Sequence, residues 1–212
     1  MNKGLEYLQE TYNLDLTYGV DLPIKIDGNG REVFGRNVGI PEVYNGLGLR
    51  YGVELGVEKG LFSKHLCETV ADIHLVSIDA WAAYKGYREH VSQEKLETFY
   101  EKATQRLSPY NCDIIRGYSM DVVKTFNDET FDFVYLDGNH DFVSIANDIV
   151  EWEKKVRVGG IVSGHDYRRF KPRKNYKCHV FEVVQAYTRA HRILTWFIIT
   201  GDRSPSWFWV KQ

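Results

Sequence analysis

Two short stretches concentrate groups that could do chemistry. The apolar run Phe131 to Asp137 opens into Asp137-Gly-Asn-His140-Asp141, and Ile161 to Gly164 opens into His165-Asp166-Tyr167. Polar groups directly after a buried strand cost free energy unless they find partners, so a functional site is the preferred reading of the first stretch. If the two stretches meet, Asp137, His140, His165 and Asp166 converge. Carboxylates with imidazole and water suit a hard divalent cation such as magnesium or a transition ion such as manganese. Asp137, Asp166 and His165 are therefore the candidate metal ligands. An imidazole titrates near neutrality and can accept a proton, which makes His140, with Asp137, the candidate catalytic group. The plain alternative is that each histidine hydrogen-bonds a loop carbonyl and binds no metal.

A second set of residues is suited to holding a ligand. Glu54-Leu-Gly56-Val57-Glu58-Lys-Gly60 places two glycines ahead of a helix. Glycine permits a tight turn and close backbone approach, and the helix offers its N-terminal amides. The glycines are four apart, so this is not the GxGxxG pattern. Asp79 follows the loop by about twenty positions, the distance at which an acidic residue can accept hydrogen bonds from ribose hydroxyls. Ala80 and Trp81 come next, and Trp81 either covers an adenine or the site's mouth, or packs in the interior. Gly117-Tyr118-Ser119 ends a third strand. Ser119 either caps the following helix or belongs to an adenine-contacting loop.

These residues must be positioned by alternating elements. Strands are expected at Tyr51–Leu55, His74–Asp79, Asp113–Gly117, Phe131–Asp137 and Ile161–Gly164. Helical spacing marks Leu61–Val70, Ser92–Leu107, Met120–Phe126, Phe142–Val156 and Val180–His191. Two aromatic-rich strands, Thr195–Thr200 and Trp207–Lys211, close the chain around a Gly201–Ser206 hairpin loop. Strand–helix alternation implies parallel βαβ units with right-handed crossovers. Ligands of such sheets bind beyond the carboxyl ends of the strands, where all the residues above lie. Residues 1–48 lack clean periodicity apart from Leu5, Leu8 and Tyr12, and are expected to form a cap on the main domain, residues 49–212.

Bulk properties narrow the classes. The chain has 212 residues, which suits one α/β domain. A net charge of −2 does not suggest a global nucleic-acid binder. Cys67, Cys112 and Cys178 form no CxxC pair, which argues against a disulfide framework. No signal-peptide pattern follows Met1, and no apolar run approaches the roughly 20 residues a membrane span needs. A cytoplasmic location is the expectation, and a homodimer is compatible with the sequence. Arg168 to Lys177 contains no acidic residue and either steers an anionic substrate or is a solvated loop.

Four segments in order resemble the class I S-adenosylmethionine-dependent methyltransferases, in particular the small-molecule branch similar to catechol and macrolide-sugar O-methyltransferases. They are Val53-Glu-Leu-Gly-Val-Glu-Lys-Gly60, Ser77-Ile-Asp-Ala-Trp81, Tyr135-Leu-Asp-Gly-Asn-His140 and Val158-Gly-Gly-Ile-Val-Ser-Gly-His-Asp-Tyr167; Pro205 to Lys211 looks like that branch's last strand. The resemblance implies a doubly wound, Rossmann-like three-layer sandwich. Its sheet would have seven strands in the order 3-2-1-4-5-7-6, the last antiparallel. It also implies that Glu54, Gly56 and the loop through Val57, Glu58 and Gly60 hold the methionine part of the cofactor. Asp79 would hold the ribose, and Gly117 to Ser119 would lie near the adenine. Metal-dependent relatives bind magnesium through acidic residues where this chain has Asp137 and Asp166; His165 stands where a second oxygen ligand is common. The expected activity is O-methylation of a small-molecule or sugar-like acceptor, possessing an anionic group if the basic stretch serves it. No Asn-Pro-Pro-Tyr or Asp-Pro-Pro-Tyr follows the fourth strand, which argues against methylation of nucleic-acid base amines. The rivals are a nicotinamide-dependent oxidoreductase and a non-catalytic cofactor-binding scaffold.

Overall fold

Eight strands form one sheet in a computed structural model that describes residues 2–16, 22–31, 34–84, 91–170 and 178–212. They are β1 (Ile24–Ile26), β2 (Tyr51–Leu55), β3 (His74–Asp79), β4 (Cys112–Arg116), β5 (Phe131–Leu136), β6 (Val156–Gly164), β7 (Phe197–Ile199) and β8 (Ser206–Val210). The order across the sheet is β1-β7-β8-β6-β5-β2-β3-β4. All pairings are parallel except those of β8, which runs antiparallel to β6 and β7. Counted from β2, this is the expected 3-2-1-4-5-7-6 order with the last strand antiparallel. The expected strand number needs correction from seven to eight. The extra strand, β1, pairs Ile24 with Phe197 and Ile26 with Ile199 at the edge of the sheet. Three residues with one exposed lysine give too short an alternation to read from sequence.

Among the described residues, seven α-helices pack on the two faces: α1 (Lys3–Tyr12), α2 (Arg36–Gly46), α3 (Leu61–Thr69), α4 (Gln93–Leu107), α5 (Ser119–Val122), α6 (Phe142–Lys155) and α7 (Val180–Ala190). Alternation along each strand divides the core. Val53, Leu55, Val134, Leu136 and Val162 meet Ile145, Ile149 and Trp152 of α6 and Val180, Val183 and Val184 of α7. Phe133, Tyr135 and Ile161 meet Leu5 and Leu8 of α1, Ile40, Val43 and Tyr44 of α2, and Phe62 and Leu66 of α3. A smaller cluster lies under α4, where Leu96, Phe99, Ala103 and Leu107 cover Val57 and Trp81.

The described residues of the first 48 thus supply the edge strand β1 and the core helices α1 and α2. Helix α2 leaves little trace in the sequence because Gly39 and Pro41 interrupt its buried residues Ile40, Val43 and Tyr44. At Gly39 a Cβ would come within 2.8 Å of the Ile199 side chain, so only glycine allows this approach to β7. Residues 171–177, most of the basic stretch, lie outside the described residues. No helix among the described residues is long and apolar enough to cross a membrane.

Candidate active site

Backbone hydrogen bonds continue the ladder past the strand ends and set the site residues side by side. Gly117 N donates to Asp79 O, Gly56 N to Ile78 O, Asp137 N to Leu55 O and His165 N to Leu136 O, all at 2.9–3.1 Å. The ends of β4, β3, β2, β5 and β6 therefore form one continuous rim. Gly56 makes this possible. Its φ is +89°, and a Cβ there would lie 2.1 Å from the carbonyl oxygen of Asp137.

On one side of the rim, the two polar stretches converge. His140 lies between two carboxylates, with Nε2 at 3.3 Å from Asp137 Oδ1 and Nδ1 at 3.3 Å from Asp166 Oδ2. His165 Nδ1 is 3.5 Å from Asp166 Oδ1 and 3.9 Å from Asp137 Oδ1. The other oxygen of Asp137 accepts from Arg36 Nη1 at 2.9 Å. Arg36, at the start of α2, lies over the Phe62 ring at 4.6 Å. Ligand atoms of Asp137, His165 and Asp166 fall within 4.8 Å of one another, as do those of His140, Asp166 and Cys178.

The electrostatics follow from this packing. Burial disfavours the charged form of Asp137, but His140, His165 and Arg36 outweigh it and hold the carboxyl below its ordinary range. Burial also opposes a charge on His140, yet Asp137 and Asp166 hold that imidazole above its ordinary range. His165 goes the other way, because burial outweighs its two carboxylate neighbours and favours the neutral ring. His140 Nε2 is buried without a well-directed hydrogen bond. A buried polar atom left in this way is a candidate for contact with a substrate.

On the other side of the rim lies a cavity of about 190 Å³. Gly56, Asp79, Ala80, Gly117, Tyr118 and Ser119 line it, and so do Tyr84, Met120, Gly138, Asn139, Ser144, Asn147 and Asp148. Glu54, Val57, Glu58, Gly60, Trp81 and Asp137, also expected at the cofactor, are not in its wall. Several of them build the loop beside it. The Asp79 carboxylate accepts from Glu58 N and Trp81 N, both at 2.9 Å. Trp81 is fully buried and donates from Nε1 to Glu58 O at 2.7 Å, so it is a packing residue under the loop. Glu54 is buried, accepts from the Ser63 hydroxyl, and is pushed by burial up to about 8.

Other polar residues have structural roles. Asp141 caps α6 by accepting from Val143 N and Ser144 N. Ser119 does not cap its helix. Its hydroxyl donates to Asp148 Oδ1 at 2.5 Å and accepts from Trp152 Nε1 at 2.7 Å. Sequence reasoning misses Asp148, although it sits on the buried stripe of α6 between Ile145, Ile149 and Trp152, where an acid needs an explanation. Arg36 carries no comparable signal.

The open α/β sheet thus carries a cavity at one side of its rim and a histidine–aspartate cluster at the other. A family model described as a methyltransferase domain matches residues 53–167, more than half of the chain. The chain belongs to this methyltransferase family. No curated protein matches it. Among solved structures it is similar to an O-methyltransferase from Streptomyces achromogenes, involved in tomaymycin synthesis and solved with S-adenosylmethionine (TM-score 0.56, 19% identity, covering 82% of this chain and 78% of that one). It is also similar to an O-methyltransferase from Bacillus cereus solved with S-adenosylhomocysteine (TM-score 0.55, 16% identity, 81% and 79% covered). A methyltransferase from Aquifex aeolicus matches at TM-score 0.52 and 14% identity, with 86% and 92% covered. At these identities the likeness speaks for the fold.

Proposed function

We propose that this methyltransferase transfers the methyl group of S-adenosylmethionine to a hydroxyl of a small-molecule or sugar-like acceptor. The observation that carries the reading is the position of His140. Its Nδ1 faces Asp166, its Nε2 lacks a directed partner, and the neighbouring Asn139 lines the cavity. Bound S-adenosylmethionine supplies a methyl group on a sulfonium, a leaving group that needs no activation. What remains for the protein is to align the acceptor and remove its proton.

In this reading, Asp166 fixes the His140 ring through Nδ1–H, and Nε2 takes the proton of the acceptor hydroxyl as the oxygen attacks the methyl carbon. Asp137 stabilises the imidazolium that results. Asp79, through Glu58 N and Trp81 N, braces the loop beside the ribose position. Gly56 lets the donor approach the backbone between β2 and β5.

The donor set of Asp137, Asp166 and His165 fits a divalent cation. Two carboxylates and a neutral imidazole match manganese or another transition ion better than magnesium, which prefers oxygen throughout. When bound, such an ion would lower the pKa of an acceptor hydroxyl. Arg168 and Arg169 follow Asp166 in sequence and support an acceptor with an anionic group.

The test is transfer of methyl label from S-adenosylmethionine to a panel of catechols, sugars, hydroxy acids and amines, with and without chelator. Label on an acceptor oxygen is the expected result. Label found only on amines would overturn the O-methylation reading.

A further inference from the structure

Cys178 precedes α7 in the chain and is 8% exposed. The backbone N–H of the next residue, His179, donates to His140 O at 2.8 Å and ties this segment to the loop after β5. A buried cysteine is ordinarily a small apolar filler, and Cys178 does border the core under α6 and α7. Its sulfur also falls within 4.8 Å of a ring nitrogen of His140 and a carboxylate oxygen of Asp166. Three separate segments thus bring together a thiol, an imidazole and a carboxylate, the donor types that zinc takes.

This donor set differs from that of Asp137, His165 and Asp166. Asp166 turns a different oxygen to each: Oδ1 is 3.5 Å from His165 Nδ1, and Oδ2 is 3.3 Å from His140 Nδ1. In a tetrahedral zinc site with bonds of about 2.0–2.3 Å, ligand atoms stand about 3.4–3.6 Å apart. His140 Nδ1 and Asp166 Oδ2 already have about that spacing, and the sulfur has to close by roughly an ångström. The other ring nitrogen is a second, independent sign. Nε2 is buried without a well-directed hydrogen bond, 3.3 Å from Asp137 Oδ1. A histidine that ligates a metal through one nitrogen normally donates its other N–H to a carboxylate. With a metal on Nδ1, the proton of the ring is on Nε2 and has Asp137 to receive it.

We propose that Cys178 Sγ, His140 Nδ1 and Asp166 Oδ2 form a zinc site, with Asp137 as the carboxylate behind the histidine and water in the fourth position. Binding releases the thiol proton of Cys178 to solvent and moves the ring proton from Nδ1 to Nε2 as the metal takes its place. Nε2 then has no lone pair to accept a proton, so zinc here switches off the base. That consequence rests on the reading of His140 as the base; the site itself does not.

Cobalt(II) is the probe, because a thiolate ligand gives it an intense near-ultraviolet sulfur-to-metal charge-transfer band that oxygen and nitrogen ligands do not. The metal-free full chain is titrated at about pH 7.5, where metal binding ionises the thiol. An equimolar amount of cobalt is expected to develop the band and an equimolar amount of zinc to abolish it, while about a hundredfold excess of magnesium leaves it in place. Cys178→Ser is expected to lose the band. His165→Ala, which dismantles the other donor set, is expected to keep it, and so is Cys67→Ser combined with Cys112→Ser. Absence of the band in the wild type overturns the proposal. Its persistence in a folded Cys178→Ser, or its loss from the folded double variant, does so too, and the double variant assigns the thiol even if Cys178→Ser fails to fold. Equimolar zinc is also expected to slow methyl transfer at least about tenfold in the wild type but not in Cys178→Ser. Zinc-saturated wild type that keeps its full rate overturns the switch, and the base reading with it, while the cobalt band alone decides the site.

Discussion

Arg36 Nη1 donates to Asp137 Oδ2 at 2.9 Å, joining residues 101 positions apart. The first helix after the edge strand thereby reaches the end of β5, so the N-terminal segment contributes directly to the candidate active site. Arg36→Met keeps much of the contact with Phe62 and removes the charge. Asp137 then loses a hydrogen bond while remaining largely buried. The expected cost is about 1–3 kcal/mol of stability, with turnover reduced and donor affinity little changed. Thermal melts and initial rates check this; a variant indistinguishable from wild type in both would deny Arg36 a part in the site.

His140→Ala removes the ring placed between Asp137 and Asp166, whose buried Nε2 lacks a well-directed hydrogen bond. Turnover is expected to fall by about 10²–10⁴-fold. Calorimetry should show donor affinity nearly intact, because His140 is not in the cavity wall. Loss of donor binding in this variant would contradict the assignment.

Glu54 gives a pH-dependent prediction. Its carboxyl is raised by burial to about 8 in the folded protein, above its ordinary range. A raised pKa means that the folded state holds the proton more tightly than the unfolded chain. Its contribution is complete below the ordinary carboxylate range and is lost as pH climbs toward 8. Glu54→Gln stays neutral throughout. Its stability relative to wild type should therefore rise between pH 5 and pH 8.5, by a few kcal/mol at most, since each tenfold change in proton affinity is worth about 1.4 kcal/mol. Paired melting curves across that range measure it, and a constant offset would contradict the raised carboxyl.

Gly56→Ala tests the junction of β2 and β5. The residue has φ +89°, and its new Cβ would meet the Asp137 carbonyl at 2.1 Å. Backbone strain alone costs about 1–3 kcal/mol, and relieving the clash must separate the two strand ends. A lower melting temperature and weakened donor binding are expected together. Unaltered binding would show that the rim tolerates separation.

Much of the fold and site is legible in the sequence because strong local signals agree with one another. The five parallel strands β2 to β6 are mostly apolar runs whose ends carry glycine or an acid, and the sheet order follows from the resemblance. Asp137, His140, His165 and Asp166 are expected to meet because adjacent parallel strands bring their ends together, and they do. The features that sequence does not reveal depend on tertiary packing. β1 is a three-residue strand completed only by β7, and α2 has Gly39 and Pro41 among its buried residues, which breaks the helical pattern. Arg36 reaches Asp137 through that same helix. Trp81 suits a ligand or the core equally well by sequence, and only the packing of α4 over it puts it in the interior. Asp148 does carry a signal, since it breaks the apolar stripe Ile145, Ile149 and Trp152.

Binding of an adenosyl methyl donor in the cavity beside the rim is tested most directly by calorimetry. The protein is titrated with S-adenosylmethionine, S-adenosylhomocysteine and NAD in parallel, with and without a divalent cation. Saturable binding of both adenosyl ligands and none of NAD is the expected result. Binding of NAD alone would contradict the methyl-donor assignment and return the chain to the oxidoreductase alternative.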